Sequence, residues 1–346
     1  MTELRRVPLN VLDLAGRGAG QTNADAVAGS IRLAQVAESL GFRRFWVAEH
    51  HGMPAVASSA PAVLIAAIAA RTERIRVGSG GVMLPNHAPL VVAEQFGTLR
   101  ALYGDRIDLG IGRAPGTDQA TAAALRRSPD ALGAEDFPQQ LLDLLGFFTG
   151  GFAPDDPLAG LRAVPGLGDQ PEVWLLGSSG YSAQVAAALG LPFAFAHHFA
   201  GEHTEEALAL YRDRFQPSAT LEAPHAMIAV NVVADDDPEK VRRQSLPSAL
   251  SFLQMRRGQK PEPVSVDEAA KYEFSQLELD FIAERNARQA LGTPDVVRER
   301  LASLLHSTGA DELMIASGAA ESDARARSLE IVAELFPSAP SDTPQI

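Results

Sequence analysis

The chain has 346 residues, a formal net charge of −13 and an apolar fraction of 46%, which suit a globular protein with a sizeable core. No Lys/Arg run is longer than two residues, which argues against a nucleic-acid binder, and the absence of Cys excludes disulfides, thiolate metal sites and a Cys nucleophile. No window approaches the roughly 18 uninterrupted apolar residues of a membrane span, so we expect a cytoplasmic protein without membrane partners.

Short β-rich runs alternate with helix-sized segments along the whole chain. Most of the runs are continuous apolar stretches, as expected for parallel strands that are covered on both faces. Eight β-then-α units favour one closed (β/α)₈ barrel over two Rossmann-like halves. The predicted strands are Val7–Leu12, Arg44–Ala48, Ile75–Leu84, Ile107–Gly110, Val173–Leu176, Phe193–Ala196, His225–Val233 and Glu312–Ala316.

The segments between the strands carry helix signals. Ala24–Leu40 repeats apolar residues at the spacing of one helix face, and Gly41 follows as the expected terminating glycine. Thr293–Asp295 reads Thr-Pro-Asp, which combines a capping hydroxyl, a proline at the first helical position and an acid in the first turn.

Two segments are additional to the elements of a minimal barrel, and they predict insertions after strands four and seven. Residues 150–170 are rich in Gly and Pro, and residues 255–275 are polar and punctuated by Pro. The second segment would lie over the C-terminal mouth, where a mobile lid and a plain surface loop are both open interpretations. We expect one barrel domain over residues 1–336 and a disordered tail over 337–346.

Three titratable residues, Glu49, His50 and His51, follow the second predicted strand. A carboxylate and two imidazoles at the end of an apolar strand are costly to bury unless they are paired or used. Barrel enzymes carry their active sites at this end of the strands. The triplet therefore predicts part of a site, although a single His there would more often be a satisfied core residue.

Glycine-rich segments end the next three predicted strands. Gly78, Gly80 and Gly81 indicate a close approach of the backbone to a ligand or, alternatively, a simple bulge. Arg113 is suited to holding a phosphate, with a solvated surface arginine as the alternative. The turn 177–182 precedes a helix whose N-terminal N–H groups would add phosphate donors, unless the turn serves only as a cap.

A metal centre is the main alternative use of these residues. The side chains that could ligate zinc in a hydrolase are Glu49, His50, His51, His197 and His198. Such a site usually needs ligands from other strand ends, whereas the first strand ends in Leu-Asp-Leu and the last in Ile-Ala-Ser. The two histidines after the sixth strand are more typical of satisfied structural residues.

Taken in order, these motifs resemble the luciferase-like family of flavin-dependent oxidoreductases, and its single-chain monooxygenases most closely. The resemblance extends from Val7 to about Phe336. The motifs that carry it are EHH after strand two, GSGGVMLPNHAPLVVAEQF at strand three, DLGIGRAPG at strand four, GSSGYSA after strand five and the late LGTPDVVRERL and GADELMI.

The resemblance implies an FMN-dependent monooxygenase that binds FMN as FMNH₂ at the barrel mouth and uses O₂ to oxidise a small organic molecule. It implies His50 as catalytic acid/base with Glu49 beside it, and Ser79-Gly80 at a position where relatives have a non-prolyl cis peptide. The implied cofactor-binding residues are Ser79, Gly80, Arg113, Gly177, Ser178, Ser179, Gly180 and Tyr181. The residues assigned to the substrate pocket are Asp13, His51, His197 and His198.

The absence of a strand-linked GxGxxG implies that a separate reductase supplies the reduced flavin, and the resemblance allows a homodimer. A deazaflavin-dependent hydride-transfer enzyme and a non-catalytic flavin-binding protein are the alternatives. The EHH motif favours FMN over deazaflavin, and mere storage would not require an imidazole near the ring. One residue departs from the pattern: Gly112 stands where bacterial luciferase has a reactive Cys, which argues against light emission.

Overall fold

The computed structural model describes residues 6–114, 116–126 and 136–336. Its centre is a sheet in which every strand pairing is parallel. The strands are β1 (Leu9–Asp13), β2 (Arg44–Val47), β3 (Arg76–Met83), β4 (Ile107–Gly112), β5 (Glu172–Gly177), β6 (Phe193–Phe195), β7 (Ala226–Ala234), β8 (Ala290–Gly292) and β9 (Glu312–Ser317).

Eight of these strands close into a barrel. Each strand from β1 to β7 pairs with the next, β7 also pairs with β9, and β9 pairs with β1. The (β/α)₈ prediction is confirmed, and each predicted strand overlaps an observed one. The additional β8 is only three residues long and pairs with Val232–Ala234 at the end of β7.

Helices cover the outside of the barrel, and most of the apolar core lies between them and the strands. The predicted helix at 24–40 is observed one residue earlier, because the Thr22 hydroxyl and the Asp25 carboxylate form a capping box. The helices are α1 (Asn23–Ser39), α2 (Pro61–Ala69), α3 (Pro89–Tyr103), α4 (Gln119–Arg126), α5 (Phe137–Thr149), α6 (Gly180–Leu189), α7 (His197–Ala200), α8 (Thr204–Arg214), α9 (Pro238–Arg256), α10 (Val266–Ala270), α11 (Gln276–Asn286), α12 (Pro294–Thr308) and α13 (Ser322–Leu335).

The first predicted insertion, residues 150–170, packs as an irregular loop against α3. A side chain at Gly97 would overlap the Pro165 carbonyl oxygen, so glycine permits this close approach. The predicted tail at 337–346 lies outside the described residues. Within the described ranges, no helix is both long and apolar enough to cross a membrane.

Charged side chains fill the barrel where its strands begin. Arg44 is fully buried, and its guanidinium lies 2.7 Å from Asp108, 2.7 Å from Glu172 and 3.2 Å from Glu312. Arg76 adds an ion pair with Glu172 at 3.0 Å and contacts Asp108. Burial lowers the pKa of Arg44, but the three carboxylates outweigh it and raise the pKa well above its usual range. Cations and carboxylates therefore compensate one another at this end.

An apolar layer separates that network from the opposite end of the barrel. The Trp46 and Trp174 rings meet edge to face with centroids 5.6 Å apart. Both indole N–H groups point back to the network, where Trp46 donates to Asp108 and Trp174 donates to Glu172. The interior cluster also includes Leu12, Ala48, Ala194, Met227, Ala229, Met314 and Ala316. The C-terminal mouth lies beyond this layer, and most of the predicted site residues follow the strands that end there.

Candidate active site

The EHH triplet leaves β2 at the barrel mouth. Trp46 and Ala48 belong to the interior cluster, so strand alternation directs His50 toward the barrel axis and Glu49 away from it. The backbone N–H of His50 donates to the Ser58 carbonyl at 2.9 Å, which fixes the chain after the strand ends.

Glu49 is a buried hydrogen-bond centre. Its carboxylate accepts from His51 Nε2 at 2.8 Å, from His87 Nε2 at 2.9 Å and from the Met83 backbone N–H at 3.0 Å. Burial raises the pKa of Glu49, but the bonds from His87, His51 and Met83 outweigh it and hold the pKa below its usual value. Glu49 is therefore ionised at neutral pH and holds the ends of β2 and β3 together.

His87 belongs to this cluster, although it is not among the site residues predicted from the sequence. It lies four residues beyond β3, within the motif GSGGVMLPNHAPL, and follows the short 3₁₀ helix Leu84–Asn86. The signal available in the sequence was that His87 lies within a motif of the family that the chain resembles. Strand periodicity does not predict that a side chain of this turn contacts Glu49.

His50 differs from its neighbours because part of its ring has no partner. Its Nδ1 is buried and makes no hydrogen bond within the described part of the chain. Burial lowers the pKa of His50, so the imidazole is neutral at pH 7. A buried polar atom without a partner is uncommon in folded proteins and indicates a place for a ligand or water.

Glycines form the adjoining wall of the mouth on β3 and β4. A Cβ on Gly80 would lie 2.7 Å from Leu12 Cδ1, and one on Gly81 would lie 2.8 Å from the Gly110 carbonyl oxygen. Packing against Leu12 and β4 therefore leaves no room for side chains at these positions, and the close approach to a ligand stays a prediction. The cis peptide joins Gly80 and Gly81, one residue beyond the expected Ser79-Gly80 position.

Ser79 itself does not present a side chain to the mouth. Its hydroxyl is fully buried and donates to the Gly110 carbonyl at 2.9 Å across the β3–β4 pair. Any contact of Ser79 with a cofactor would have to come from its backbone. The prediction of Ser79 as a cofactor-binding residue is corrected to this extent.

Arg113 and Tyr181 meet across neighbouring strand ends. The guanidinium carbon lies 4.3 Å from the centre of the Tyr181 ring, and no carboxylate of the described residues forms an ion pair with Arg113. Gly177 ends β5, and Gly180 begins α6 after Ser178 and Ser179. The Ser179 side chain makes no capping bond, so the first N–H groups of α6 are not capped by it. A cation, an aromatic ring and a helix N-terminus thus converge as predicted for an anion site.

Two residues assigned to the substrate pocket face elsewhere. Leu12 and Leu14 pack with the interior cluster, so Asp13 between them lies on the outer face of β1, 3.9 Å from Arg325. His197 Nδ1 lies 2.7 Å from Thr204 Oγ1, and its Nε2 lies 3.0 Å from the Arg288 carbonyl oxygen. Both ring nitrogens of His197 are used structurally, because an acceptor or hydroxyl meets each one.

His198 and His51 remain at the mouth. His198 Nδ1 donates to the Ala229 carbonyl at 3.1 Å, and Ala229 is an interior residue of β7. Burial lowers the pKa of His198, so its imidazole is neutral at pH 7. His51 is bound to Glu49 and is partly exposed.

The segment 255–275 crosses the mouth. It follows α9, which comes after β7, yet Lys260 forms a 2.9 Å ion pair with Asp118, which follows β4. A Cβ on Gly52, just after the EHH triplet, would lie 3.6 Å from Lys260 Nζ. Because β7 lies three strands from both β2 and β4, the segment spans the barrel opening. Its position agrees with the lid interpretation, and its motion remains a prediction.

The histidines and acids of the mouth do not form a metal-binding arrangement. Across residues 6–114, 116–126 and 136–336, no three His, Asp or Glu side chains are grouped closely enough to hold a metal ion. Glu49 uses its oxygens on His51, His87 and Met83.

Comparison with known proteins connects this geometry to one family. The family model described as luciferase-like monooxygenase matches residues 8–312. The luciferase-like monooxygenase of Escherichia coli (strain K12) is 43% identical over 335 residues, 96% of this chain and 97% of that protein. The N-acetyl-S-alkylcysteine monooxygenase of Bacillus subtilis (strain 168) is 37% identical over 310 residues, 86% of this chain and 89% of that protein.

Solved structures share the fold over nearly the whole chain. Apo-MsnO8 superposes with a TM-score of 0.85 at 38% identity and covers 97% of this chain and 99% of its own. The oxygenating constituent of 3,6-diketocamphane monooxygenase from Pseudomonas putida, in complex with FMN, superposes with a TM-score of 0.70 at 17% identity and covers 98% and 100%.

Proposed function

The chain belongs to the luciferase-like monooxygenase family, and we propose that it uses reduced FMN and O₂ to oxidise a small organic substrate. The observation that carries this proposal is the composition of the mouth. Adjoining strand ends carry a glycine wall, a buried imidazole nitrogen and a cation, and within the described residues the nitrogen has no hydrogen-bond partner and the cation no carboxylate partner.

These residues fit FMN. The phosphate would be held by Arg113, Tyr181 and the N-terminus of α6, where a guanidinium and free N–H groups favour a dianion. The ring system would lie against Gly80-Gly81, where any side chain would collide with Leu12 or with β4. The reduced flavin, when bound, supplies the electrons that activate O₂.

His50 is the proton-transfer residue in this proposal. Its buried Nδ1 has no partner within the described residues, and its lowered pKa leaves it neutral at pH 7. A neutral imidazole can accept a proton from the substrate and return it later. Glu49 is a positioning residue, because its carboxylate contacts His51, His87 and the Met83 N–H instead of the open mouth.

A separate enzyme would supply FMNH₂, since the sequence has no strand-linked GxGxxG for a nicotinamide cofactor. The name of the Bacillus relative supplies the first substrate to test. N-acetyl-S-benzylcysteine is an S-substituted N-acetylcysteine with an oxidisable thioether, and it serves as the probe below.

The first experiment titrates the purified protein with FMN, FAD and a deazaflavin, followed by flavin fluorescence. We expect FMN to bind most tightly. Arg113→Ala should weaken FMN binding by about 10–100-fold, the value of a charge-assisted phosphate contact. Arg32→Ala, at an exposed position of α1, is the matched control. Tighter binding of the deazaflavin, or an unchanged affinity in Arg113→Ala at low salt, would contradict the cofactor assignment.

The second experiment adds a flavin reductase, NADH and the probe, and measures O₂ uptake and the oxidised product. His50→Ala should leave FMN affinity within a few-fold of wild type and lower turnover by about 10²–10⁴, the usual range for a general acid/base. His51→Ala should cost less, because its ring is bound to Glu49. Near-normal turnover of the His50 variant would refute its role.

A further inference from the structure

Asn231 is a polar residue at an interior position of β7. Met227 and Ala229 belong to the apolar cluster inside the barrel, and Asn231 follows Ala229 by two residues, so strand alternation directs its side chain to the same side. The strand register agrees, because Asn231 pairs with Ala316 of β9, which belongs to the same interior cluster. The inner face of β7 therefore ends in an amide above its apolar residues.

The exposure of Asn231 shows that this position opens to the mouth. Every other residue of β7 is buried, whereas Asn231 is partly exposed. An interior position of a closed barrel can reach solvent only through one end of the barrel. The ion network and the layer of Trp46 and Trp174 fill the end where the strands begin. The amide of Asn231 therefore lines the C-terminal mouth.

Two neighbours fix the position of this amide. Gly318 directly follows β9, and a Cβ at this residue would lie 2.6 Å from both Nδ2 and Oδ1 of Asn231. Any other residue at position 318 would displace the amide, so the glycine provides the space that it occupies. The buried Gln289, which precedes β8, accepts a hydrogen bond at 3.0 Å from Asn231 Nδ2. The amide is thus oriented by the protein itself.

The bond to Gln289 uses only part of the hydrogen-bonding capacity of Asn231. Nδ2 keeps a second N–H, and Oδ1 makes no hydrogen bond with any described residue. Anchoring the start of β8 would need only the bond to Gln289. A donor and an acceptor on one oriented side chain therefore remain available to a ligand in the mouth.

Asn231 lies opposite the glycine wall. In the closed order of the eight barrel strands, β7 is four positions from β3 in either direction, and β3 carries Gly80 and Gly81. In the proposed function the flavin ring lies against these glycines, and His50 follows the adjacent strand β2. A substrate between the ring and β7 would contact the amide of Asn231 on the side away from the flavin.

We propose that Asn231 binds an amide group of the organic substrate. The inference rests on the proposed function and specifies its substrate class as amides, which include N-acylated amines. An amide carries an N–H donor beside a carbonyl acceptor, and these complement Oδ1 and the second N–H of Asn231. An ester presents two acceptors, so it would leave Oδ1 opposite another oxygen and without a hydrogen bond.

The experiment compares amides with esters of the same shape. Wild-type protein loaded with FMN is titrated with N-acetyl-S-benzylcysteine and its isostere 2-acetoxy-3-(benzylsulfanyl)propanoic acid, and with N-benzylacetamide and benzyl acetate, followed by flavin fluorescence. In at least one pair the amide should bind about 10–100-fold more tightly than the ester, because the ester leaves an acceptor unpaired. Asn231→Leu, which keeps the size and removes both polar groups, should abolish that preference.

A second variant tests the hydrogen-bond pattern itself. Asn231→Asp keeps one acceptor and replaces the donor by another acceptor, so it should also lose the preference for amides. It should bind N-benzylacetamidine, a cation that presents two N–H donors, at least about 10-fold more tightly than wild type does. Asn23→Leu, at an exposed position of α1, is the matched control and should keep the preference of wild type.

FMN affinity separates a substrate contact from a flavin contact, because the pyrimidine ring of the flavin also carries amide groups. The affinity should stay within a few-fold of wild type in Asn231→Leu. A loss as large as that in Arg113→Ala would identify Asn231 as a flavin ligand and overturn the proposal.

Calorimetry of the protein without flavin repeats the amide and ester titrations. A preference for amides that depends on Asn231 would then stand even if FMN failed to bind, so the two proposals can fail separately. Equal affinity for amides and esters, a preference that persists in a folded Asn231 variant, or no binding of any amide up to about 10 mM would overturn the inference.

Discussion

The ion network where the barrel strands begin allows a quantitative test of the fold. Arg44→Met replaces the buried guanidinium by an apolar side chain of similar length. We predict a loss of about 3–5 kcal/mol in the free energy of unfolding at pH 7, the range for removing one partner from a buried ion pair. The loss arises because the remaining carboxylates lose a buried cation. Packing contributes little to it, because the methionine side chain largely replaces the apolar stem of the arginine.

The charges of the network explain the size of this effect. Arg43, Arg44 and Arg76 face three carboxylates, and Arg43 is the weakest member at 3.6 Å from Glu312. Without Arg44, two cations face three anions, and one net negative charge stays inside the barrel. Each carboxylate keeps another donor, which holds the expected loss within the range for a single buried pair.

The stability difference between wild type and Arg44→Met should depend on pH. Burial raises the pKa of Asp108, but Arg44 and Arg76 outweigh it and hold the pKa below its usual value. Such a carboxylate stabilises the fold above its unfolded pKa of about 4, and the contribution is lost as the pH falls through the lower folded value. The difference between wild type and Arg44→Met should therefore be largest near pH 7 and shrink below about pH 4.

Urea unfolding followed by tryptophan fluorescence is the appropriate assay, because both tryptophans of the chain donate to this network. Circular dichroism would report the helices in parallel. Arg298→Met, which breaks an exposed pair with Asp295 on α12, is the control and should change stability by less than about 1 kcal/mol. A loss in Arg44→Met no larger than in this control would refute the reasoning.

Three further predictions concern the mouth. Glu49→Gln should lower stability at pH 7 and converge with wild type below about pH 4 in urea titrations, because the native carboxylate has a lowered pKa. Gly110→Ala should lower the melting temperature sharply, since its Cβ would overlap the Ser79 carbonyl oxygen, whereas Gly160→Ala has open space and should not. Lys260→Ala should raise hydrogen exchange in the segment that crosses the mouth, and an unchanged exchange rate would show that its ion pair does not hold the segment.

The barrel could be predicted because its signals are local and repeated. Buried parallel strands give continuous apolar runs, and the helix ends carry capping residues such as Thr22. The short β8 could not be predicted, since three residues of Ala-Leu-Gly have no periodicity and depend on pairing with the end of β7 that extends beyond β6.

The site could be predicted where residue type and strand end coincide. Glu49, His50 and Arg113 follow apolar strands, and such positions meet at one mouth once the barrel closes. Strand parity directs Glu49 and His50 to opposite sides. The same parity places Asp13 on the outer face of β1, which contradicts its assignment to the substrate pocket.

Residues supplied by turns were not accessible from the sequence. His87 returns to Glu49 through a 3₁₀ turn that follows β3.

The two ends of the barrel show how buried polar residues serve different purposes. At the end where strands begin, Arg44 is matched by carboxylates, and those carboxylates accept from indoles or other cations. At the mouth, His50 Nδ1 and Ser317 Oγ are buried without partners in the described chain. Groups that are paired inside the protein lose their interaction only when the protein unfolds. Groups without a partner can gain an interaction when a ligand binds. A ligand that brings an acceptor or donor to His50 should therefore stabilise the native state by an amount that rises with the logarithm of its concentration above its dissociation constant, which thermal unfolding at several ligand concentrations would measure.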